Sequence, residues 1–424
     1  MLRTRGWLQI YWGCLLPLTI VFSIACPIVT HAGFVNYNSI LLGDRAAGLG
    51  GAMSSVPGDA SAAPFLNPAT LSRLDGSSFS TSVSLFNKYD VTYGNQADVD
   101  EALFRINKGS LLPIPSASGI ITSFRNFATG LSIVLPDFQK FGGEVFNKEN
   151  STTFLRLDDQ SIWIGGTFAM NLTEKSSAGA TVYYTSQTHS RSTTNRYTTG
   201  ADTVVVNEEK SYTTNSMVYL VGGYYEITPN LRTALSYRFR SIQVNGEGAY
   251  YKSEIGTVSG AQPITENKTL HATSKIPDRV MLGLSYEIPH LWLFTLDISH
   301  YGPAKYDDLD AFGDKIIRKN ITNIAFGAEY HFYDWLPLRL GIFSDQTATP
   351  NVPSDPDRRF EDNIDRVGFS ANLGIQTTAQ TSISLGGYYN GGDGYSSEFV
   401  EGEYKRLEKV ERVFSFLVGS SYHF

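Results

Sequence analysis

Residues 77–86 limit the possible folds more than any other stretch of the chain. Phe79, Thr81, Val83 and Leu85 alternate there with Ser78, Ser80, Ser82 and Ser84. Successive side chains of a strand point to opposite faces, so one face is apolar and the other is uniformly serine. That pattern fits a strand with lipid on one side and a polar lumen on the other. The same period of two recurs in Phe127, Thr129, Leu131, Ile133 and Leu135, in Leu231, Thr233, Leu235, Tyr237 and Phe239, and in Ile324, Phe326, Ala328, Tyr330 and Phe332. Between such stripes stand Arg232, Arg238, Asp297, Glu329, His331 and Arg339. Hydrocarbon would reject these groups, so they point inward.

Counting the alternating runs predicts about fourteen strands, near 77–86, 117–124, 127–136, 159–171, 176–189, 212–226, 230–243, 279–288, 291–301, 320–333, 337–346, 365–376, 381–391 and 411–424. Most meet the roughly 9–11 residues that a tilted strand needs to cross a bilayer. Short connections at Arg125-Asn126, 171–175, 227–229, Pro289-His290, 334–336 and 377–380 alternate with long ones. Short periplasmic turns and long outer loops give this rhythm, whereas a soluble propeller or sandwich does not require it. The expected fold is all-β: a transmembrane antiparallel β-barrel. Being closed, it has no unpaired edge to demand a partner copy, and a monomer is expected.

The N-terminus explains how such a chain leaves the cytoplasm. Arg3 and Arg5 precede an apolar run from Leu8 to Val29, and Thr30-His31-Ala32 follows with small residues where a signal peptidase reads. Residues 1–32 are therefore expected to be a cleaved secretory signal. An uncleaved anchor would need a run not broken by Pro17 and Pro27, and lipidation at Cys26 would need a larger aliphatic than Ser23. Both cysteines, Cys14 and Cys26, lie inside this segment, so no disulfide or thiolate metal site is expected beyond it. The mean hydropathy of −0.14 reflects no second run long enough for a membrane helix. A membrane chain without spanning helices must satisfy its backbone as a barrel. The net charge of −7, with Lys and Arg scattered, argues against nucleic-acid binding.

Phe414, Phe416, Val418, Ser420, Tyr422 and Phe424 share one face of the last run. Gly419, Tyr422 and Phe424 fall where the barrel-assembly machinery of the outer membrane expects a glycine, an aromatic and a final aromatic, so they resemble its C-terminal recognition signal. Residues 33–76, by contrast, do not alternate. They read Leu42-Gly43-Asp44-Arg45-Ala46-Ala47-Gly48-Leu49-Gly50-Gly51-Ala52, then Asp59-Ala60-Ser61-Ala62, then Asn67-Pro68-Ala69. This text resembles the N-terminal hatch of FadL-type outer-membrane transporters of long-chain fatty acids and aromatic hydrocarbons; the family continues Asn-Pro-Ala with a small residue, and here Thr70 follows. The resemblance implies a fourteen-stranded barrel, residues 77–424, plugged by a hatch at 33–76, and passive uptake of a hydrophobic or amphipathic small molecule across the outer membrane, amid its lipid and lipopolysaccharide. Gly48, Gly50, Gly51, Asn67, Pro68 and Ala69 would then gate or plug, or the segment would be a periplasmic interaction tail. Barrels with similar hatches also serve secretion machinery, so the alternative is a structural barrel whose loops bind a partner protein.

Arg232, Arg238 and Arg339 are the candidates for holding a ligand carboxylate. Equally, these and Arg240 can pair with Asp297, Glu287 and Glu329. Gly130 and Pro136 weaken and interrupt pairing in the third run; there the strand ends, bulges, or opens sideways to lipid as the family resemblance implies. Acidic loops, Asp307, Asp308, Asp310 and Asp314, then Asp355, Asp357, Glu361, Asp362 and Asp365, match no calcium-loop spacing, and no metal or cofactor is expected. Nor is catalysis: hydrolase and phosphate-loop motifs are absent, and neither His189-Ser190 nor His300 with Asp297 defines a triad.

Overall fold

A computed structural model describes residues 36–94, 104–110, 114–148, 151–199, 202–256, 264–307, 309, 315–358, 360–400 and 403–424. Residues 1–35, which hold the expected signal and the first three residues of the expected hatch, and Asp308, Asp310 and Asp314 lie outside the described residues. Fourteen strands close an antiparallel barrel. They are β1 (Ser77–Tyr93), β2 (Ile114–Ser123), β3 (Phe127–Lys148), β4 (Ser151–Asn171), β5 (Ser176–Thr199), β6 (Asp202–Thr228), β7 (Leu231–Arg238, continued by Ile242–Gly256), β8 (Arg279–Ile288), β9 (Trp292–Tyr301), β10 (Ile321–Tyr333), β11 (Leu336–Asp345), β12 (Arg366–Gln376), β13 (Thr381–Val400) and β14 (Glu403–His423). β1 pairs with β2 on one edge and with β14 on the other. At the closing pair, Ser77 and Phe424 exchange backbone hydrogen bonds of 3.0 and 2.9 Å.

Each run predicted from the alternation is one of these strands. The serine face of β1 is inside, with Ser80 1% exposed, and its apolar face is outside, with Phe79 41% exposed. The short turns gather at one end, ringed by exposed aromatics such as Phe124, Phe127, Tyr286, Trp335, Tyr422 and Phe424, the girdle expected where lipid meets water. At the opposite end several strands run far beyond the predicted limits. β6 has 27 residues where about ten suffice to cross. Its outer half pairs with β5 and with Ile242–Gly256, which in turn pairs with Ile264–His271.

Inside, residues 36–76 fold without strands of their own. Short helical turns, Arg45–Gly48, Ala63–Leu66 and the 3-10 turn Pro68–Arg73, follow one another across the lumen. Leu42, Ala46, Leu49, Met53, Val56, Phe65 and Leu66 form a core with Trp163, Tyr183, Val218, Met281 and Leu293 of the wall. The barrel is therefore a plugged vessel, not an open pore.

Candidate functional site

The hatch is fastened to the wall by shape first. Asn67-Pro68 lies against a cross-strand pair of wall glycines, Gly179 and Gly222. A Cβ on Gly222 would sit 1.9 Å from Asn67 Oδ1, and one on Gly179 would sit 2.7 Å from the Pro68 carbonyl carbon. The same holds at Gly119 against Ala60, Gly283 against Ser54, Gly327 against Leu49 and Gly341 against Gly50. Glycine at these wall positions lets two backbones approach where any side chain would intervene. Gly50 and Gly51 also hold φ of +67° and +85°, a region other residues enter only with strain. Gly48 is a contact as well, since its Cβ would lie 2.7 Å from that of Asn372.

Hydrogen bonds complete the fastening. The Asn67 amide donates to the carbonyls of Ser54 and Gly223 at 2.9 and 3.1 Å and accepts from the Ala69 N–H at 3.1 Å. The Ala69 carbonyl accepts from Ser177 Oγ at 2.8 Å, and Thr70 Oγ1 donates to the Asn67 carbonyl at 2.9 Å. Asp297 accepts the N–H groups of Met53 and Ser54 and the Ser54 hydroxyl at 2.7–3.0 Å. Glu329 binds Arg45 of the hatch at 2.7 and 2.9 Å and Arg339 of the wall at 2.7 Å.

Above this floor lies a cavity of about 280 Å³. The hatch residues Ile40 and Phe65, with Leu157, Trp163 and Ile276 of the barrel, supply apolar lining, and charged groups stand among them. A smaller void of about 40 Å³ adjoins it against the hatch, sharing Tyr37, Ile40, Phe65 and Pro136 with it.

The three candidate arginines part company here. Arg339 is engaged by Glu329, Asn372 and Ser384, and Arg232 by Glu287 at 2.5 Å near the short-turn end; both balance wall carboxylates. Arg240 likewise pairs with Asp278 at 2.9 Å. Arg238 is different. It lines the cavity, is 4% exposed, and makes no ion pair among the described residues. Its Nη2 donates to the Pro277 carbonyl at 3.1 Å and its Nε has no acceptor. Its guanidinium lies 5.5 and 5.6 Å from the ring centres of Trp163 and Tyr301, a stacking that orients it without neutralising it. Directly across the ladder stands Arg279, 1% exposed, donating to the hatch carbonyl of Phe65 at 2.8 Å and also leaving Nε without an acceptor.

The wall changes character at Pro136. β3 does not end there but continues to Lys148, with its register against β4 broken between Val134 and Asp137. On the other side its ladder with β2 stops at the Ala117–Val134 pair. Pro136, bordering both cavities, thus sits where β3 loses its partner. Gly130 lies in an unbroken ladder on both sides, which removes it from any opening.

The sequence places this architecture in a known group. Residues 31–396 match the family of outer membrane protein transport proteins described as OMPP1/FadL/TodX. The chain belongs to that family. No curated protein matches it significantly. Among solved structures, a Pseudomonas aeruginosa FadL homologue superposes with a TM-score of 0.67 at 15% identity, covering 93% of this chain and 100% of that one. The Pseudomonas putida toluene transporter TodX gives 0.65 at 15% identity, covering 90% and 98%. The Ralstonia pickettii toluene transporter TbuX gives 0.60 at 14% identity, covering 90% and 98%. At such identities the likeness shows the fold, and this FadL-family barrel is an outer-membrane protein.

The remaining candidates are dispersed in this family member. Gly419 faces the lumen, where a Cβ would meet the Asp44 carboxylate at 2.5 Å, while Tyr422 and Phe424 stack on the outer face with ring centres 5.8 Å apart. Of the acidic loop, Glu361 binds Arg318 at 2.9 Å, Asp362 binds Lys409 at 2.9 Å and Asp365 accepts the Thr347 N–H at 2.7 Å; no cluster of metal-binding type occurs among the described residues. His189 pairs with Asp159, and Ser190 lies on the opposite face. His300 bonds Thr322 outside the wall, whereas Asp297 holds the hatch. Arg279 and Trp163 escape a reading of the sequence because their value lies in sharing a site with Arg238 and Phe65, which only the strand register reveals.

Proposed function

We propose that this FadL-family barrel takes up amphipathic molecules with an anionic head, long-chain fatty acids foremost, by passive binding in the upper cavity. The observation that carries the reading is the buried, unpaired Arg238 at the edge of an apolar lining. A buried guanidinium with no carboxylate in ion-pair contact, Asp137 of the same cavity being the one whose charge reaches it, is unfavourable, and a ligand carboxylate reverses that deficit with charge-assisted hydrogen bonds. The alkyl chain would then lie along Leu157, Ile276 and Phe65. Onward movement needs no energy source: the molecule leaves either downward, when Asn67-Pro68-Ala69 shifts from its glycine seat, or sideways at Pro136. A neutral aromatic hydrocarbon such as toluene, for which the transporters TodX and TbuX are named, would use the same lining without Arg238.

Liposomes containing the barrel, loaded in parallel with labelled hexadecanoate and labelled toluene, test this. Hexadecanoate uptake should exceed that of protein-free liposomes and fall about tenfold in Arg238→Met at limiting concentration, the loss of one charge-assisted contact, while toluene uptake is unchanged. Deletion of residues 33–76 should remove the saturation of uptake with concentration. A folded barrel that carries neither probe would overturn the reading in favour of a partner-binding role for the loops.

A further inference from the structure

The cavity has a second pole. Glu411 of β14 lines it, is 1% exposed, and neither carboxylate oxygen has a hydrogen-bond partner among the described residues. Its nearest cation is Arg366, with Nη1 at 3.9 Å, and that arginine also faces Asp345 at 3.5 Å. Lys409, two residues along the same strand, is held by Asp362 at 2.9 Å and lies 4.8 Å from the centre of the Tyr93 ring. On β13, where Gly392 is paired with Glu411, Asn390 two residues earlier also has neither amide atom bonded. Glu411 is therefore charge-balanced at a distance yet unsatisfied as an acceptor, and a buried acceptor without a donor is unfavourable.

Position in the barrel separates this pole from the other. Arg238 is on β7 and Glu411 on β14, half a circuit of the fourteen strands away, and both border one cavity. An unbranched hydrocarbon tail reaching from Arg238 would lie against Glu411 and satisfy nothing there. A tail ending in a hydroxyl or an ammonium would donate to it.

We propose that the cavity selects amphiphiles carrying an anion at one end and a hydrogen-bond donor at the other, with Glu411 as the residue that recognises the donor. This rests on Arg238 as the anchor for the anion. The shared chemistry of the second end is donation to a carboxylate, and a hydroxyl and an ammonium supply it differently, one neutral and one charged.

The test is binding to the full barrel in nanodiscs, read by isothermal titration calorimetry, with hexadecanoate, 16-hydroxyhexadecanoate and 16-aminohexadecanoate as probes. The parent protein should bind at least one of the two donor-bearing acids about tenfold more tightly than hexadecanoate, the effect of one charge-assisted hydrogen bond out of water, and which of them does so identifies the donor. In Glu411→Leu the ratio should fall to about one. Glu411→Gln, which keeps volume and one acceptor, should bring it to about threefold, and heat-modifiable gel migration shows which variants are folded. Equal affinities for all three acids in the parent, or a preference that stays at about tenfold in Glu411→Leu, overturns the proposal while leaving Arg238 as an anchor. Failure of every acid to bind overturns both readings together.

Discussion

The lower and upper halves of the lumen are built from the same strands by opposite rules. Below, the wall retreats to glycine and the hatch fills the space, with Asp297 and Glu329 spending their acceptors on hatch N–H groups and on Arg45. Above, the wall carries large and charged side chains, and some of them, Arg238 among them, keep a donor or acceptor without a partner. A glycine wall against a close-fitting hatch makes a stable floor, and a charged wall around a cavity makes a place for something that arrives from outside.

Breaking the floor should therefore cost more than breaking the roof. Glu329→Leu strands Arg45 and Arg339 without their counter-ion, and removing one partner of a buried pair costs about 3–5 kcal/mol; urea unfolding in lipid vesicles should show a loss of that size. Gly222→Val drives a side chain into Asn67 and should cost about 1–3 kcal/mol through overpacking. The same variant should make the 50–70 region open to protease and give planar bilayers an ion conductance above that of the parent. If Gly222→Val leaves both unchanged, the hatch is not seated by shape. The smallest effect is expected at the roof. Arg318 pairs with Glu361, whose side chain is part-exposed and can rehydrate, so Arg318→Met should cost about 1 kcal/mol or less in the same unfolding assay. A loss there matching that of Glu329→Leu would erase the distinction between floor and roof.

How much of this was legible in the sequence depends on where lipid touches the chain. Alternation marks a strand only where its two faces meet different solvents, so β8 and β9 could be read almost to the residue. The outer half of β5, ending Thr193-Thr194-Asn195-Arg196-Tyr197-Thr198-Thr199, meets polar surroundings on both sides and shows no period, although its ladder with β6 continues unbroken. The Asn67-Pro68-Ala69 motif was visible, yet its seat on Gly179 and Gly222 was not, because the two glycines are distant in sequence and meet only through register. Arg232, Arg238 and Arg339 look alike as letters; which of them lacks a carboxylate is decided by neighbours on other strands. Pro136 was readable as a disturbance, but its outcome, a shifted ladder in a strand that goes on, also depends on where β2 stops.

The pairing of Ser77 with Phe424 joins the strand that follows the hatch to the last strand of the barrel. This seam lies immediately beyond the tether of residues 74–76, so the curled sheet and its contents cannot be assembled in arbitrary order. A hatch left outside when the seam zips would have to thread back past wall glycines already facing an empty interior. If enclosure comes with the contents in place, the speed of seam closure relative to the collapse of the hatch onto Gly179 and Gly222 would decide between a plugged vessel and a leaking one.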